Sequence, residues 1–529
     1  MSATAAPHTT RPARPGVPLG WAAAIGVLAV GAALAAGHLV AAIVSPSSSP
    51  YLAVGDWVIR LSPQWLTEFA KTTFGTADKP ILLAGMGVVI AIIAAAAGIA
   101  SRRSPTPGVV VVAVLGVLGF LAVLFAPAFA PLDLVAPAVS LVVGVGVFRL
   151  LHGLALRTTE GPEQPASGAG VSRRNVLIGS SAAVGVASLG AAAGGVLLGG
   201  GVTNSRQTVT AQLARAGLVE RAPAIPPDAA FPGLGTPTFL TPNPDFYRVD
   251  VALRIPTQAA QDWSMRIHGM VDEELTLTFD DLLARPLVER AITLTCVSNE
   301  VGGPYISTAN FIGVDLRELL LEAGVRPDAE QLFSTSIDGW TAGTPVDVVM
   351  EEGRDSMLAI GMNGEALPPE HGFPVRMVVP GLYGFVSATK WLTDLEVTTF
   401  DAKQSYWLQR GWAQRAPIKT QSRIDSPRAF EEVPAGRVTV AGIAWSQPVG
   451  ISKVEVRVDG GPWQEAELGA PVNTDTWRMW HIALDLAPGS HTIQSRATDR
   501  NGVTQTEVRV PPIPDGASGW PSLIIRVAS

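Results

Sequence analysis

Between Gly20 and Val44 the chain carries no Asp, Glu, Lys or Arg. An uncharged run of that length is enough to cross the roughly 30 Å hydrocarbon core of a bilayer as a helix. Comparable stretches follow at about 80–100, 108–126 and 132–151, and a fifth, rich in Gly and Ala, runs from Val176 to about Val202. In lipid every backbone polar group must be satisfied within the segment, so these stretches are expected to be helices. Up to residue 200 there are 11 Lys/Arg against 6 Asp/Glu, and beyond it 27 against 39. A basic apolar part joined to an acidic, ordinary part reads as a membrane anchor carrying a water-exposed portion. The acidic part has no clustered Lys/Arg stripe, so a nucleic-acid partner is not expected.

Residues 1–19, Pro-, Ala- and Thr-rich with Arg11 and Arg14, read as a disordered cytoplasmic tail. Residues 20–202 read as a transmembrane region of about five helices. Residues 45–79 hold Trp57, Leu61, Trp65, Leu66 and Phe69 at amphipathic spacing, which suits the membrane interface. With five spans, Arg11/Arg14, Arg102/Arg103 and Arg157/Arg173/Arg174 fall on one side, which the positive-inside rule makes cytoplasmic. Everything after residue 202 is then extracytoplasmic. Ser172-Arg173-Arg174-Asn175-Val176-Leu177 resembles a twin-arginine export signal, the address of a route that carries folded, cofactor-loaded proteins.

Residues 203–239 read as a Pro/Gly-rich linker containing a short helix, Thr210 to Leu218. From 240 to 426 strand and helix signals mix without a βαβ rhythm. Trp263 to Gly269 alternates like a strand, Thr278 to Leu283 opens a helix with acids in its first turn, and Val314 to Gly324 is a helix closed by glycine. That composition predicts an α+β domain. From 427 to 529, Val438–Trp445, Ile451–Val458, His481–Leu486 and His491–Thr498 alternate at close spacing around a turn at Asp459-Gly460-Gly461. Such spacing predicts an antiparallel β-sandwich, with a structural or oligomerising role.

Cys296 is the sole cysteine of 529 residues. The alternating Ile292-Thr293-Leu294-Thr295 before it favours a strand, and Ser298-Asn299-Glu300-Val301-Gly302-Gly303 after it favours a sharp turn. A thiol at that junction is a buried small hydrophobe, one half of an intermolecular bridge, a nucleophile or a metal ligand. A second stretch, His371-Gly372-Phe373-Pro374-Val375-Arg376 followed by Pro380-Gly381 and Thr389-Lys390-Trp391, gathers three donors on a strand and its flanking turns. They suit a phosphate clamp, with Arg bidentate and Lys a point charge; a surface strand with solvated charges fits the same residues.

The two stretches together, in this order and spacing, resemble the sulfite oxidase family of molybdopterin enzymes. The resemblance covers about 240–529, because the family also places an immunoglobulin-like dimerisation domain after its cofactor domain. It implies that Cys296 ligates molybdenum, one ion per chain, and that His371, Arg376, Thr389 and Lys390 bind the pterin phosphate. Phe246-Tyr247-Arg248-Val249-Asp250 resembles a family motif whose arginine lines the substrate pocket, which marks Arg248 as a catalytic candidate and Tyr247 as a cofactor neighbour. Asp338 and Thr341 occupy a loop that the family places near the cofactor. Implied too are a small-molecule substrate, a separate electron carrier and a homodimer formed through the C-terminal domain. A soft thiolate suits a high-valent metal already held by pterin sulfurs.

Where sulfite oxidases place arginines after the cysteine motif, this chain has Glu300-Val301-Gly302, and Trp412 falls near an active-site tyrosine. An acid there repels an oxyanion. Arg410, Arg415 and Lys419 are available to restore positive charge. The expected activity is oxygen-atom transfer to or from sulfite or a related sulfur compound. Sulfoxide or N-oxide reduction in the same family is the enzyme alternative, and a cofactor-free adhesive or scaffolding ectodomain is the other. No haem is expected: five-span topology places His38 and His152 toward opposite faces, and intramembrane polar groups usually pack against a local partner.

Overall fold

The computed structural model describes residues 16–45, 48–63, 66, 69–70, 73–74, 77–126, 129–159, 173–197, 201–253 and 255–529. The chain forms two compact units, Met1–Gly200 with Val251–Arg254, and Gly201–Asp250 with Ile255–Ser529.

The first unit is helical: α1 (Leu19–Val44), α2 (Pro50–Leu61), α3 (Asp78–Ala100), α4 (Thr106–Leu124), α5 (Val135–Thr159) and α6 (Arg173–Leu197). Helix α1 packs against α3, α5 and α6. Its crossing with α3 is close because both contact points are glycine. A Cβ on Gly26 would lie 2.0 Å from the Ala94 carbonyl oxygen, and one on Gly98 would lie 2.0 Å from that of Ala22. Small residues that let backbones approach are the usual packing device where lipid removes the hydrophobic drive between helices. Four segments are long and apolar enough to cross a membrane: Leu19–Val44, Asp78–Ala100, Thr106–Leu124 and Pro131–Arg157. The chain is thus a multi-pass membrane protein.

The expected fifth span is helical as α6, but its apolar stretch among the described residues is only Ile178–Gly190. Ser180, Ser181 and Ser188 dilute it. Of the export-signal residues, Ser172 lies outside the described residues, as does Trp65 of the interfacial set. In that set Trp57 sits on α2 and stacks on Phe125 at 6.4 Å. His152 is buried and its Nε2–H donates to the Ser101 carbonyl at 2.6 Å, so it closes the end of α3.

The second unit opens with α7 (Gly201–Leu213), not a helix at 210–218 inside a free linker. Val209 and Leu213 are buried in the unit's core, and Arg206 donates to the carbonyls of Leu367 and Ala366. Ser205, Val209 and Leu213, spaced four apart, form the buried face of this helix. Strand β1 (Leu218–Glu220) then pairs with β4.

The strands of the central domain are β2 (Ser264–Gly269), β3 (Leu275–Thr278), β4 (Leu287–Thr295), β5 (Ile306–Asp315), β6 (Gln331–Ser336), β7 (Thr341–Pro345), β8 (Met357–Met362), β9 (Glu365–Ala366), β10 (Arg376–Val378) and β11 (Leu392–Thr398). They build two sheets, β1-β4-β5-β8-β10 with β9 beside β8, and β3-β2-β11-β6-β7. Pairing is antiparallel except for β1–β4 and β2–β11. Two short helices lie where capping residues predict them. The first, α8 (Phe279–Leu283), starts in a box made by Thr278 and Asp281; the second, α9 (Leu316–Ala323), starts at Asp315 and closes on Gly324 in the left-handed region, φ 68°. The domain is the expected mixed α+β.

The C-terminal part is β-rich: β12 (Gln421–Ser426), β13 (Glu432–Val433), β14 (Gly436–Trp445), β15 (Ile451–Val458), β16 (Gln464–Glu465), β17 (Glu467–Leu468), β18 (Arg478–Leu486), β19 (Gly489–Asp499) and β20 (Ser522–Val527). They form two sheets, β12-β14-β18-β17 and β13-β20-β19-β15-β16. Val440, Val454, Val456, Trp480, Ile493 and Ile525 make one buried cluster here. Trp445, Trp477 and Met479 instead join the α+β core.

Candidate functional site

The antiparallel β4–β5 pair runs to Thr295–Ile306, and Cys296 is the first residue past it. Its N–H donates to the Tyr305 carbonyl at 3.0 Å, and its carbonyl accepts from Asn299 N–H at 3.0 Å. Asn299 Oδ1 in turn accepts from Tyr305 N–H at 2.8 Å. The thiol is thus held at the mouth of a tight loop, half-buried, with Sγ 2.9 Å from Ser298 Oγ. Thr295 Oγ1 and Asn299 Nδ2 beside it are buried and meet no hydrogen-bond partner among the described residues.

The cationic stretch comes to the same place. Strand β10 pairs with β8, two strands from β4, and presents Arg376, which is 4% exposed. Its Nη1–H donates to the His371 carbonyl at 3.2 Å and its guanidinium lies over the Phe311 ring at 5.6 Å, while Nε is buried with no partner among the described residues. Burial pulls the guanidinium down to about 10, so it stays charged at neutral pH. Gly372, at φ 109°, is wedged between Arg376 and Lys390: a Cβ there would sit 3.1 Å from Arg376 Cβ and from Lys390 Cα. The positive φ and this crowding both favour glycine here.

Lys390 Nζ donates to Asp250 Oδ2 at 3.0 Å and to the Glu370 carbonyl at 3.2 Å, and burial lowers its ammonium to about 8. His371 Nε2–H donates to the Asn243 carbonyl at 3.1 Å. Burial, reinforced by the charge of Arg376, lowers the imidazole to about 4, so it is neutral at pH 7 with its lone pair on Nδ1.

Tyr247 joins the two halves. Its phenol is pushed up by burial first and by the charge of Cys296 second, and pulled down by Arg376. Both groups therefore lie within electrostatic reach of one hydroxyl. A Cβ on Gly384 would lie 3.8 Å from Tyr247 Oη and 3.7 Å from the Thr295 carbonyl oxygen, which places the phenol beside the end of β4. Tyr383, likewise raised by burial, also feels the charge of Cys296.

Cys296, Tyr247, His371, Arg376 and Lys390 are thus assembled together, with Arg248 at the rim. Arg248 Nε–H donates to Asp250 Oδ2 at 2.7 Å, so Asp250 holds two of the cations. Thr389 and Thr341 serve elsewhere. The Thr389 hydroxyl meets Ser334 Oγ at 2.6 Å in the core, and Thr341 Oγ1 accepts from Tyr406 N–H at 3.0 Å. Asp338 Oδ1 accepts from Trp340 N–H in its own turn. The other cations have partners of their own: Arg410 stacks on Tyr406 at 3.6 Å, Arg415 forks onto Asp347, and Lys419 pairs with Asp515. Glu300 is exposed. Trp412 is buried against Phe385 and Trp407 at 5.6 and 5.8 Å.

Sequence reasoning passed over Asp250 and Tyr383, although the first ends the quoted Phe-Tyr motif and the second sits between glycines 381 and 384. His268, Asp394 and Glu396 offer ligand atoms within 4.8 Å of one another. They lie on β2 and β11, the other sheet, where Arg266 and Lys403 already pair with the two acids.

A molybdopterin group fits this donor set. A soft sulfur stands at the end of one strand of the sheet, and a buried guanidinium on another strand of it keeps an N–H with no partner among the described residues, as an anionic tail requires. The family described as "Oxidoreductase molybdopterin binding domain" matches residues 252–407. Mitochondrial sulfite oxidase of Homo sapiens is 31% identical over 305 residues, covering 49% of this chain and 55% of that one. An inducible NADH nitrate reductase of Glycine max is 28% identical over 333 residues, covering 51% and 37%. An uncharacterized oxidoreductase of Bacillus subtilis is 34% identical over 153 residues, covering 29% and 73%. The chain spans about half the length of the sulfite oxidase it matches. By its matched domain, by the coverage of the Bacillus relative and by the cysteine and cation site just described, the chain belongs to the molybdopterin-binding oxidoreductases of the sulfite oxidase family.

Proposed function

We propose that the protein is a membrane-anchored molybdenum oxidoreductase that transfers an oxygen atom to or from a small sulfur compound such as sulfite. The observation that carries this reading is a half-buried Cys296 at the end of β4 in the same sheet as β10, whose buried Arg376 keeps Nε without a partner among the described residues. The bound cofactor supplies the two-electron oxygen-atom transfer. In this reading Cys296 holds the metal, Arg376 and Lys390 hold the anionic tail, and neutral His371 packs beside it. Tyr247, kept protonated by its raised pKa, is a hydrogen-bond donor at the cysteine side. A separate electron carrier and a homodimer through an immunoglobulin-like C-terminal domain, 427–529, belong to the same reading. So do a cofactor domain at 240–426 and an anchor at 20–202.

A second reading, reduction of a sulfoxide or N-oxide, is favoured by the neutralised Arg248 and by the Phe385, Trp407 and Trp412 cluster. A neutral substrate loses less there than a dianion does. A screen of the purified holoenzyme with artificial electron acceptors and donors separates them. Sulfite oxidation at kcat/KM at least tenfold above sulfoxide or N-oxide reduction supports the first; the reverse order supports the second. Inactivity in both directions, in protein loaded with one molybdenum per chain, would sink both.

The same proposal has the catalytic domain outside the cytoplasmic membrane, a topology supported by the arginine distribution and by the Arg173-Arg174 pair. With four spans the chain returns to its starting side; with five it crosses. Changing both arginines to lysine is expected to abolish protease accessibility of the domain from the outer face in spheroplasts. Undiminished accessibility removes the twin-arginine route.

A further inference from the structure

The strand that ends just before Cys296 has one edge that its own sheet leaves largely open. Strand β4 pairs with β5 from Val288 to Thr295, but β1 covers its outer edge only at Leu287 and Val288. Backbone groups farther along that edge need partners once buried. The C-terminal β-rich region supplies them, and they converge on Thr293, which is 1% exposed. Thr293 N–H donates to the Asp475 carbonyl at 2.9 Å. Its Oγ1 accepts from Trp477 N–H at 2.8 Å, and its carbonyl accepts from Gln447 Nε2–H at 3.1 Å. Two residues back along the edge, Asn473 Nδ2–H donates to the Ala291 carbonyl at 2.9 Å. At the hairpin's far end Arg423, itself held by Asp425 at 2.7 Å, donates to the Gly303 carbonyl at 3.1 Å.

We infer that Thr293 and Gln447 are positioning residues of the metal site, and that the C-terminal region fixes the Cys296 sulfur by gripping the β4–β5 hairpin at its edge and its tip. The grip is made in the dry interior. Gln447 and Trp477 are 3% and 2% exposed, and the Trp477 ring shares the apolar core that holds Ile292 and Leu294. Cys296 lies three residues beyond Thr293, so any slack at Thr293 reaches the sulfur directly. Metal sites tolerate displacement of only about 0.5 Å, and a misplacement near 1 Å costs about 100-fold in rate. A module that only joined subunits would need no such contacts with the ligand strand.

This rests on Cys296 being the metal ligand, and the test keeps the two ideas apart. Full-length holoenzyme is made as wild type, Thr293→Val, Thr293→Ser and Gln447→Met, with the surface variant Lys453→Ala as control. Thr293→Val removes, at nearly constant shape, the Oγ1 that accepts from Trp477 and also meets Thr308 Oγ1 at 2.5 Å; Thr293→Ser restores both contacts, and Gln447→Met isolates the grip from the C-terminal region. Thr293→Val and Gln447→Met are expected to lower kcat about 10- to 100-fold at unchanged KM and to shift the g-values of the paramagnetic Mo(V) state. The Ser and control variants should match wild type. In protein from a host unable to make the cofactor, iodoacetamide should alkylate Cys296 several-fold faster in Gln447→Met. Wild-type g-values, kcat and alkylation rate in Thr293→Val and Gln447→Met overturn the inference, as does a loss of kcat that follows only the unfolded fraction. Absence of molybdenum from the wild type instead overturns the ligand assignment beneath it.

Discussion

Cys296→Ser is expected to abolish turnover while leaving the fold intact. Changing a partner outside the metal's own ligands typically costs 10- to 100-fold, so losing the ligand should cost more, on the order of 1,000-fold in kcat. The side chain is half-buried at a strand end and the exchange removes little volume, so the thermal midpoint of the cofactor-free protein should move by no more than a few degrees. The pterin tail, held by Arg376 and Lys390, should remain partly bound. The decisive measurement is the visible sulfur-to-metal charge-transfer absorption together with elemental molybdenum: the band should vanish and the metal content should fall from about one per chain. A variant that keeps wild-type turnover would return Cys296 to the role of a small buried residue.

Arg376→Met should produce opposite effects on cofactor retention and on the stability of the empty protein. A charge-assisted bond to an anion contributes about 1.5–3 kcal/mol, and a bidentate contact made in a buried site multiplies the effect, so retention should fall about 30- to 1,000-fold. In the cofactor-free chain the same guanidinium is buried with Nε unsatisfied. Replacing a poorly compensated buried charge with an apolar side chain of similar length stabilises by about 1–3 kcal/mol. The empty variant should therefore melt higher than the empty wild type, and dialysis should strip the loaded variant faster. Equal retention would remove Arg376 from the tail site.

The pH dependence carries a matching sign. Lys390 is lowered to about 8 from an ordinary 10.5. Between those values the unfolded chain binds the proton that the folded chain has lost, so stability of the empty protein should rise with pH from about 8 to 10.5. Retention of an anionic tail should fall over the same rise, because the charge that holds it disappears above about 8.

The place of the thiol was legible because it depends on local sequence. A thiol after an alternating run sits at a strand end by periodicity alone, whereas the reason for Gly372, crowding by Arg376 and Lys390, came only with the structure. The helices at α8 and α9 were legible for the same reason, since a cap is a contact across three residues. Thr389 reads in sequence as a neighbour of Lys390, but the chain bends at Lys390 and the Thr389 hydroxyl meets Ser334 in the core. Arg410, Arg415 and Lys419 read as available charge, but acids and an aromatic ring distant in sequence had claimed them.

Chain length, charge-free runs and periodic spacing suffice for the membrane helices, for the α+β and β-rich character of the chain beyond them, and for the cysteine and the cations as a pair of motifs. Each of these depends on residues within a few turns of one another. Tertiary structure alone decided that Tyr247 comes beside the end of β4, that Arg248 and Lys390 share Asp250, and that Gln447, Asp475 and Trp477 close on Thr293 more than 150 positions away. Such contacts arise when sheet edges and buried polar groups find partners across the fold, and no local pattern encodes which partner arrives.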